Sequence, residues 1–131
     1  MIRSLIVDDS SVVRERLAAR LSSPGKVEIV GNVGDIVTAL STFEREKPNM
    51  VILDIQLPDG NGIDVLTRIK QQDGNTIVVM LTNFPYEAFR KRCFEAGADY
   101  FFDKSTEFHK ITAVIKEMEA AMNNQSPSLL N

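Results

Sequence analysis

Residues 5–9 read Leu5-Ile6-Val7-Asp8-Asp9 and residues 51–54 read Val51-Ile52-Leu53-Asp54, two short apolar runs each closed by carboxylates. Such runs suit strands that are buried on both faces of a parallel sheet. Because the strands of a parallel sheet point the same way, acids that follow them collect at one edge. Three anions there repel one another by roughly 4 kcal/mol per close pair at intermediate dielectric. The arrangement asks for a cation among them.

Outward from these runs, short β-branched or aromatic segments alternate five times with longer segments of helical spacing. Strands are expected near Ile2 to Val7, Val27 to Val33, Met50 to Leu53, Ile77 to Leu81 and Asp99 to Phe102. Between and after them, helical stripes are formed by Val13, Leu17 and Leu21, by Ile36, Leu40 and Phe43, and by Ile63, Leu66 and Ile69. Two more are Phe89, Cys93 and Ala96, and Ile111, Ile115, Met118 and Met122. Ser10 or Ser11 can cap the first helix, Pro24-Gly25 stops it, Asp35 can cap the second and Pro48 follows its end. Pro85 suits a first helical turn, where a missing N–H costs nothing. Strands alternating with helices imply a parallel sheet covered on both faces by right-handed crossovers. Five strands cannot close an eight-stranded barrel, so an open, doubly wound α/β fold is expected, with its site beyond the carboxyl ends of the strands.

The 131 residues provide for one domain, expected over residues 1–122, with 123–131 as a flexible tail or linker stub. A net charge of −3 without a Lys/Arg cluster disfavours direct nucleic-acid binding, which depends on neutralising many phosphates. No stretch is long and apolar enough to span a membrane. The first apolar run is too short for a signal-peptide core. Cys93, the single cysteine, excludes an internal disulfide and a cysteine-based zinc site, and a cytoplasmic location is expected.

Two further side chains join the carboxylates at the same edge: the hydroxyl of Thr82 after strand four and the ammonium of Lys104 after strand five. Hard oxygen donors suit Mg²⁺ or Mn²⁺, and Lys104 and Thr82 can hold phosphoryl oxygens. Phosphoryl transfer depends mostly on positioning and charge neutralisation, which this set can supply.

Taken together, Asp8-Asp9, the segment Leu53-Asp54-Ile55-Gln56-Leu57-Pro58-Asp59-Gly60-Asn61-Gly62, Leu81-Thr82, and Gly97-Ala98-Asp99-Tyr100-Phe101-Phe102-Asp103-Lys104 resemble the receiver domain of bacterial two-component response regulators. Five pieces in order, over about residues 2 to 122, carry the resemblance. It implies a flavodoxin-like (βα)₅ sandwich with a five-stranded parallel sheet; the strand order 2-1-3-4-5 comes from the resemblance and not from the spacing of the elements. It further implies that Asp54 is the phosphoacceptor, served by a histidine kinase or histidine phosphotransfer protein. Asp9 would then bind Mg²⁺ directly, Asp8 would act largely through metal-bound water, and Asp54 and the Gln56 backbone carbonyl would complete the protein ligands. Thr82 and Lys104 would hold the phosphoryl group, helped by backbone N–H groups near Gln56 and Asn83. Movement of Thr82 would let Phe101 turn inward and change the surface of helix four, strand five and helix five. That surface would meet a downstream protein, an attached output domain or a second copy of the chain.

The sequence departs from the family pattern in places. Ser105 follows the lysine where proline is frequent, leaving the isomer of that peptide bond open. Phe101 lacks the hydroxyl of the more usual tyrosine. Asn83 and Phe84 replace small residues after Thr82, and Phe84 is expected to shield the phosphorylated site from water. An aspartate-nucleophile phosphohydrolase would want a second acid two residues after its nucleophile, where this chain has Ser10 or Gln56. A receiver-like module that works without phosphorylation would have no use for the intact set Asp9, Asp54, Thr82 and Lys104. The expected role is a switch rather than an enzyme. Asp59, Asn61 and Asp64 read as loop and cap residues, and His109 as a surface residue.

Overall fold

A computed structural model describes residues 1–22 and 27–124. The elements follow one another as β1 (Ile2–Val7), α1 (Ser11–Ser22), β2 (Val27–Val33), α2 (Ile36–Glu46), β3 (Met50–Leu53), α3 (Gly62–Gln72), β4 (Ile77–Thr82), α4 (Glu87–Glu95), β5 (Tyr100–Asp103) and α5 (Ile111–Asn124). A two-residue antiparallel ladder, Gln56–Leu57 against Gly60–Asn61, lies between β3 and α3. A 3₁₀ turn, Phe108–Lys110, leads into α5. Pro24-Gly25, read from the sequence as the stop of the first helix, and residues 125–131 of the expected tail lie outside the described residues.

All four pairings of the main sheet are parallel, in the order β2-β1-β3-β4-β5. Register sets Val7 opposite Val33 and Leu53, and Leu53 opposite Met80, so the strands end at nearly one level. Side chains alternate between two cores, as the two-residue period of a strand requires. Leu5, Val7, Val51, Leu53, Val78, Met80 and Phe101 face α2, α3 and α4, whereas Ile2, Ile6, Met50, Ile52, Val79 and Leu81 face α1 and α5. Every residue of β3 is buried, which explains its unbroken apolar text. Burying each large aliphatic side chain favours this packing by about 1.5–3 kcal/mol.

The helix stripes carry the matching surfaces: Leu17 and Leu21 of α1, Ala39 and Phe43 of α2, Ile63, Leu66 and Ile69 of α3, and Ile111, Ile115 and Met118 of α5 are buried. Of the two serines able to cap α1, Ser10 does so, its Oγ accepting the Val13 N–H at 3.3 Å. Asp35 caps α2 through Thr38, and α2 ends at Lys47 with φ of 48°, just before Pro48. Asn61 caps α3 by accepting the Ile63 N–H.

Three local expectations need correction. Pro85 stands outside α4, one residue before its N-cap Tyr86, which has the extended backbone of an N-cap but provides no side-chain cap. β4 runs one residue further than expected, to Thr82, because Thr82 pairs with Asp103. β5 begins at Tyr100 rather than Asp99, since Asp99 turns its carboxylate to the Val78 N–H at 2.9 Å and to Lys70 at 2.8 Å. Among the described residues no helix is long and apolar enough to cross a membrane.

Candidate functional site

The carboxylates are delivered by backbone bonds that prolong the sheet. Asp8 donates its N–H to Val33 O, and Asp54 donates its N–H to Val7 O, each at 3.0 Å. Lys104, after β5, donates its N–H to Thr82 O at 2.8 Å. Asp8, Asp54, Thr82 and Lys104 are all buried, whereas Asp9 is exposed.

The side chains converge. Lys104 Nζ lies 2.6 Å from Asp8 Oδ2 and 2.9 Å from Asp54 Oδ2, bridging the two buried acids. Their second oxygens accept backbone N–H groups: Ser10 on Asp8 Oδ1 at 2.9 Å and Ile55 on Asp54 Oδ1 at 2.7 Å. Asp8, Asp9 and Asp54 each offer a carboxylate oxygen within 4.8 Å of the others. Three carboxylates and one ammonium leave a formal charge of −2, which matches a divalent cation. The donors are hard oxygens and Asp9 keeps one side open to solvent, so the set fits Mg²⁺ or Mn²⁺.

Burial is the main cause raising the Asp54 pKa above its ordinary value; the Lys104 bond and charge oppose it, and the charge of Asp8 adds to it. Burial also works to lower Lys104, but its bonds to Asp8 and Asp54 and their charges prevail, holding the ammonium above its usual range. The pair is therefore an ammonium that stays charged beside a carboxylate whose charge is costly.

Thr82 accepts the Phe84 N–H on Oγ1 at 3.0 Å, which leaves its own hydroxyl proton available to a further acceptor. Phe84 is half-buried, with its ring 6.3 Å from that of Tyr86. Phe101 is 4% exposed, with its ring already turned into the core beside Phe94 at 6.5 Å. The Lys104–Ser105 bond, left open by the sequence, is trans. Gln56 lies in the short ladder with an exposed side chain. His109 is exposed on the 3₁₀ turn, and Cys93 is fully buried in the core.

Several supporting residues escape sequence reasoning. Gly62 has a definite steric cause: a Cβ there would fall 1.9 Å from the Asp54 carbonyl oxygen. Its N–H donates to Ile55 O at 2.6 Å, seating the start of α3 on the backbone of the central acid. Arg14 sends Nη1 to Asp8 O at 2.6 Å through space left by Gly34, where a Cβ would lie 2.9 Å from that nitrogen. On α4, Arg90 stacks over Phe94 and Phe101, 5.0 and 5.7 Å from the ring centres, and donates to Phe101 O at 3.4 Å. Nothing in the spacing of Arg14 or Arg90 singles them out, because each reaches across sequence-distant elements.

Comparison with known proteins places this geometry. The chain is similar to a two-component response regulator of the LuxR family from Aurantimonas sp., with 27% identity and a TM-score of 0.83 over 92% of this chain and 86% of that one. It is also similar to the CheY of the CheX–CheY–BeF3–Mg complex of Borrelia burgdorferi, with 26% identity and a TM-score of 0.72 over 87% and 89% of the two chains. Among curated sequences, an uncharacterised response regulatory protein of Shewanella oneidensis is 29% identical over 99% of this chain and 54% of its own length. The DNA-binding transcriptional activator DevR/DosR of Mycobacterium tuberculosis is 26% identical over 92% and 55%. The chain spans about half the length of these curated relatives. The model of the response regulator receiver domain matches residues 4–116. With five parallel strands in the order of that fold and a strand-end acid and lysine cluster, the chain belongs to the response regulator receiver domain family.

Proposed function

We propose that the chain is a phosphorylation-controlled switch in which Asp54 accepts a phosphoryl group from a phosphohistidine of a histidine kinase or phosphotransfer protein. A carboxylate oxygen of Asp54 attacks phosphorus, the P–N bond of the donor breaks, and the donor imidazole keeps the electron pair. The product is an acyl phosphate on Asp54. The observation that carries this reading is the bridge from Lys104 to both Asp8 and Asp54 at the carboxyl edge of the sheet, with the Asp9 carboxylate open beside it.

Asp8, Asp9, Asp54 and the Gln56 carbonyl are the residues that would hold Mg²⁺. When bound, the cation supplies charge neutralisation for the phosphoryl oxygens. Lys104 would hold the same oxygens through its ammonium, and Thr82 would donate its free hydroxyl proton to them. Both contacts strengthen as negative charge gathers on the transferring group. Transfer exchanges the single negative charge of the Asp54 carboxylate for the two of a phosphoryl group and brings three acceptor oxygens, which draw Thr82 and the segment after it toward the phosphate. Phe101 is already inward, so the inward turn expected of it is not the change that follows; lacking a hydroxyl, it is kept there by burial and by Arg90 and Phe94 from α4. The surface of α4, β5 and α5 then reads the change, toward an output domain or a separate protein partner. The role is regulatory, and the site turns over no further substrate.

Incubation with a small phosphodonor and Mg²⁺, followed by intact-mass measurement, tests the reading. The wild type is expected to gain one phosphoryl group and Asp54→Ala none. No gain in the wild type, or equal gain in both, rejects it.

A further inference from the structure

The tip of the short ladder beside Asp54 is fastened to a helix that precedes it in the chain by more than 20 residues. Asp59 accepts the Ile36 N–H at 2.8 Å on Oδ1 and 3.1 Å on Oδ2, and the Val37 N–H at 3.2 Å. Asp59 thereby takes two donors of α2 that the helix's own N-cap leaves free. α2 already has its own N-cap in Asp35, which accepts the Thr38 N–H at 2.7 Å. Two carboxylates thus take the first three N–H groups of α2, and both are favoured by the positive end of its dipole.

What Asp59 adds concerns the loop. A ladder of two residues per strand cannot hold itself in place in water, so the position of Gln56 depends on outside anchors. On one side the anchors are Asn61, which caps α3, and Gly62, which is seated on Ile55 and Asp54. On the other side is Asp59, followed by Gly60 with φ of 151°, where a Cβ would come within 2.9 Å of Ile36 Cδ1. The tip therefore lies against the Ile36 side chain at the start of α2.

We infer that Asp59 is a positioning residue for the cation site: by tying the ladder to α2, it fixes the Gln56 backbone relative to Asp54. This rests on the assignment of Asp54 and Gln56 as ligands given above. Asp59 touches neither the cation nor the phosphoryl group.

Mn²⁺ titration followed by electron paramagnetic resonance, together with amide hydrogen exchange of the metal-free protein, tests the inference. Asp59→Ala is expected to bind Mn²⁺ about tenfold more weakly, the loss typical of removing an outer partner of a metal site, and to exchange faster over residues 55–61. Asp59→Asn, whose amide oxygen can still accept, recovers part of both. Asp35→Ala removes the other cap, loosens the first turn of α2 and leaves Mn²⁺ affinity at the wild-type value. Wild-type exchange over 55–61 in Asp59→Ala overturns the tether. So does equal weakening of Mn²⁺ binding by Asp35→Ala and Asp59→Ala, which would make helix stability the cause. Asp9→Ala separates the two levels of argument: if it leaves Mn²⁺ affinity unchanged, the ligand assignment fails, while the exchange of the metal-free ladder still judges the tether.

Discussion

The ammonium of Lys104 stands 2.9 Å from Asp54 Oδ2, and both side chains are more than nine-tenths buried. Since the same nitrogen also holds Asp8, removing it strands two buried carboxylates. Lys104→Met is expected to lower the stability of the metal-free protein by about 3 kcal/mol, as breaking a buried pair does. Mg²⁺ should restore part of that loss, because it supplies the missing positive charge. Urea melts of wild type and variant with and without Mg²⁺ check this; an equal loss under both conditions contradicts it.

Gly62 tolerates no side chain, because its Cβ would lie 1.9 Å from Asp54 O. Backbone cannot yield as a flexible side chain can. Gly62→Ala is expected to cost about 3 kcal/mol of stability, at the upper end for overpacking, and to impair phosphorylation of Asp54. Gly74→Ala, where the nearest atom is 3.9 Å away, is the matched control and should leave phosphorylation intact. Urea midpoints and intact mass give both readouts.

Phe84 is held near the site by its own N–H bond to Thr82 Oγ1 and by contact with Tyr86. If its ring limits the approach of water to the acyl phosphate, Phe84→Ala should lose phosphate severalfold faster than the wild type. Slower loss in Phe84→Ala, followed by intact mass over time, rejects shielding.

Tyr100 donates its hydroxyl proton to Glu117 on α5, and this bond, with burial and the Glu117 charge, raises its pKa to about 12. The folded state thus favours the neutral phenol. Its contribution to stability is complete below the ordinary phenol pKa of about 10 and fades as pH rises through about 12. In a Tyr86→Phe background, which leaves Tyr100 as the sole tyrosine, ultraviolet titration should give a midpoint near 12. Glu117→Gln should bring the midpoint down.

The layered fold was legible because each layer leaves a local trace: unbroken apolar text for β3, helical stripes for α1 and α3, and capping chemistry at Asp35. Asp8, Asp9 and Asp54 were legible as candidates for a related reason, since they follow strands whose ends are fixed by composition, and Lys104 because it comes just after the aromatic run Tyr100 to Phe102. The misplacements at Thr82 and Asp99 arose where pairing and a side-chain bond, rather than hydrophobicity, decide the end of a strand. Asp59 did read as a cap residue, but the helix it caps lies upstream rather than beside it. Arg14, Arg90 and the steric demand on Gly62 involve partners set by tertiary approach, which no window of sequence contains.

The two helices that flank β5 are not equally anchored. α5 buries Ile111, Val114, Ile115 and Met118, whereas α4 buries only Cys93 completely and lacks a side-chain N-cap. If Asp54 is phosphorylated as proposed, movement at the carboxyl edge meets less buried apolar packing where Phe101 meets α4 than on the side of α5. Such lopsided packing would give a local change in charge a preferred direction in which to do mechanical work.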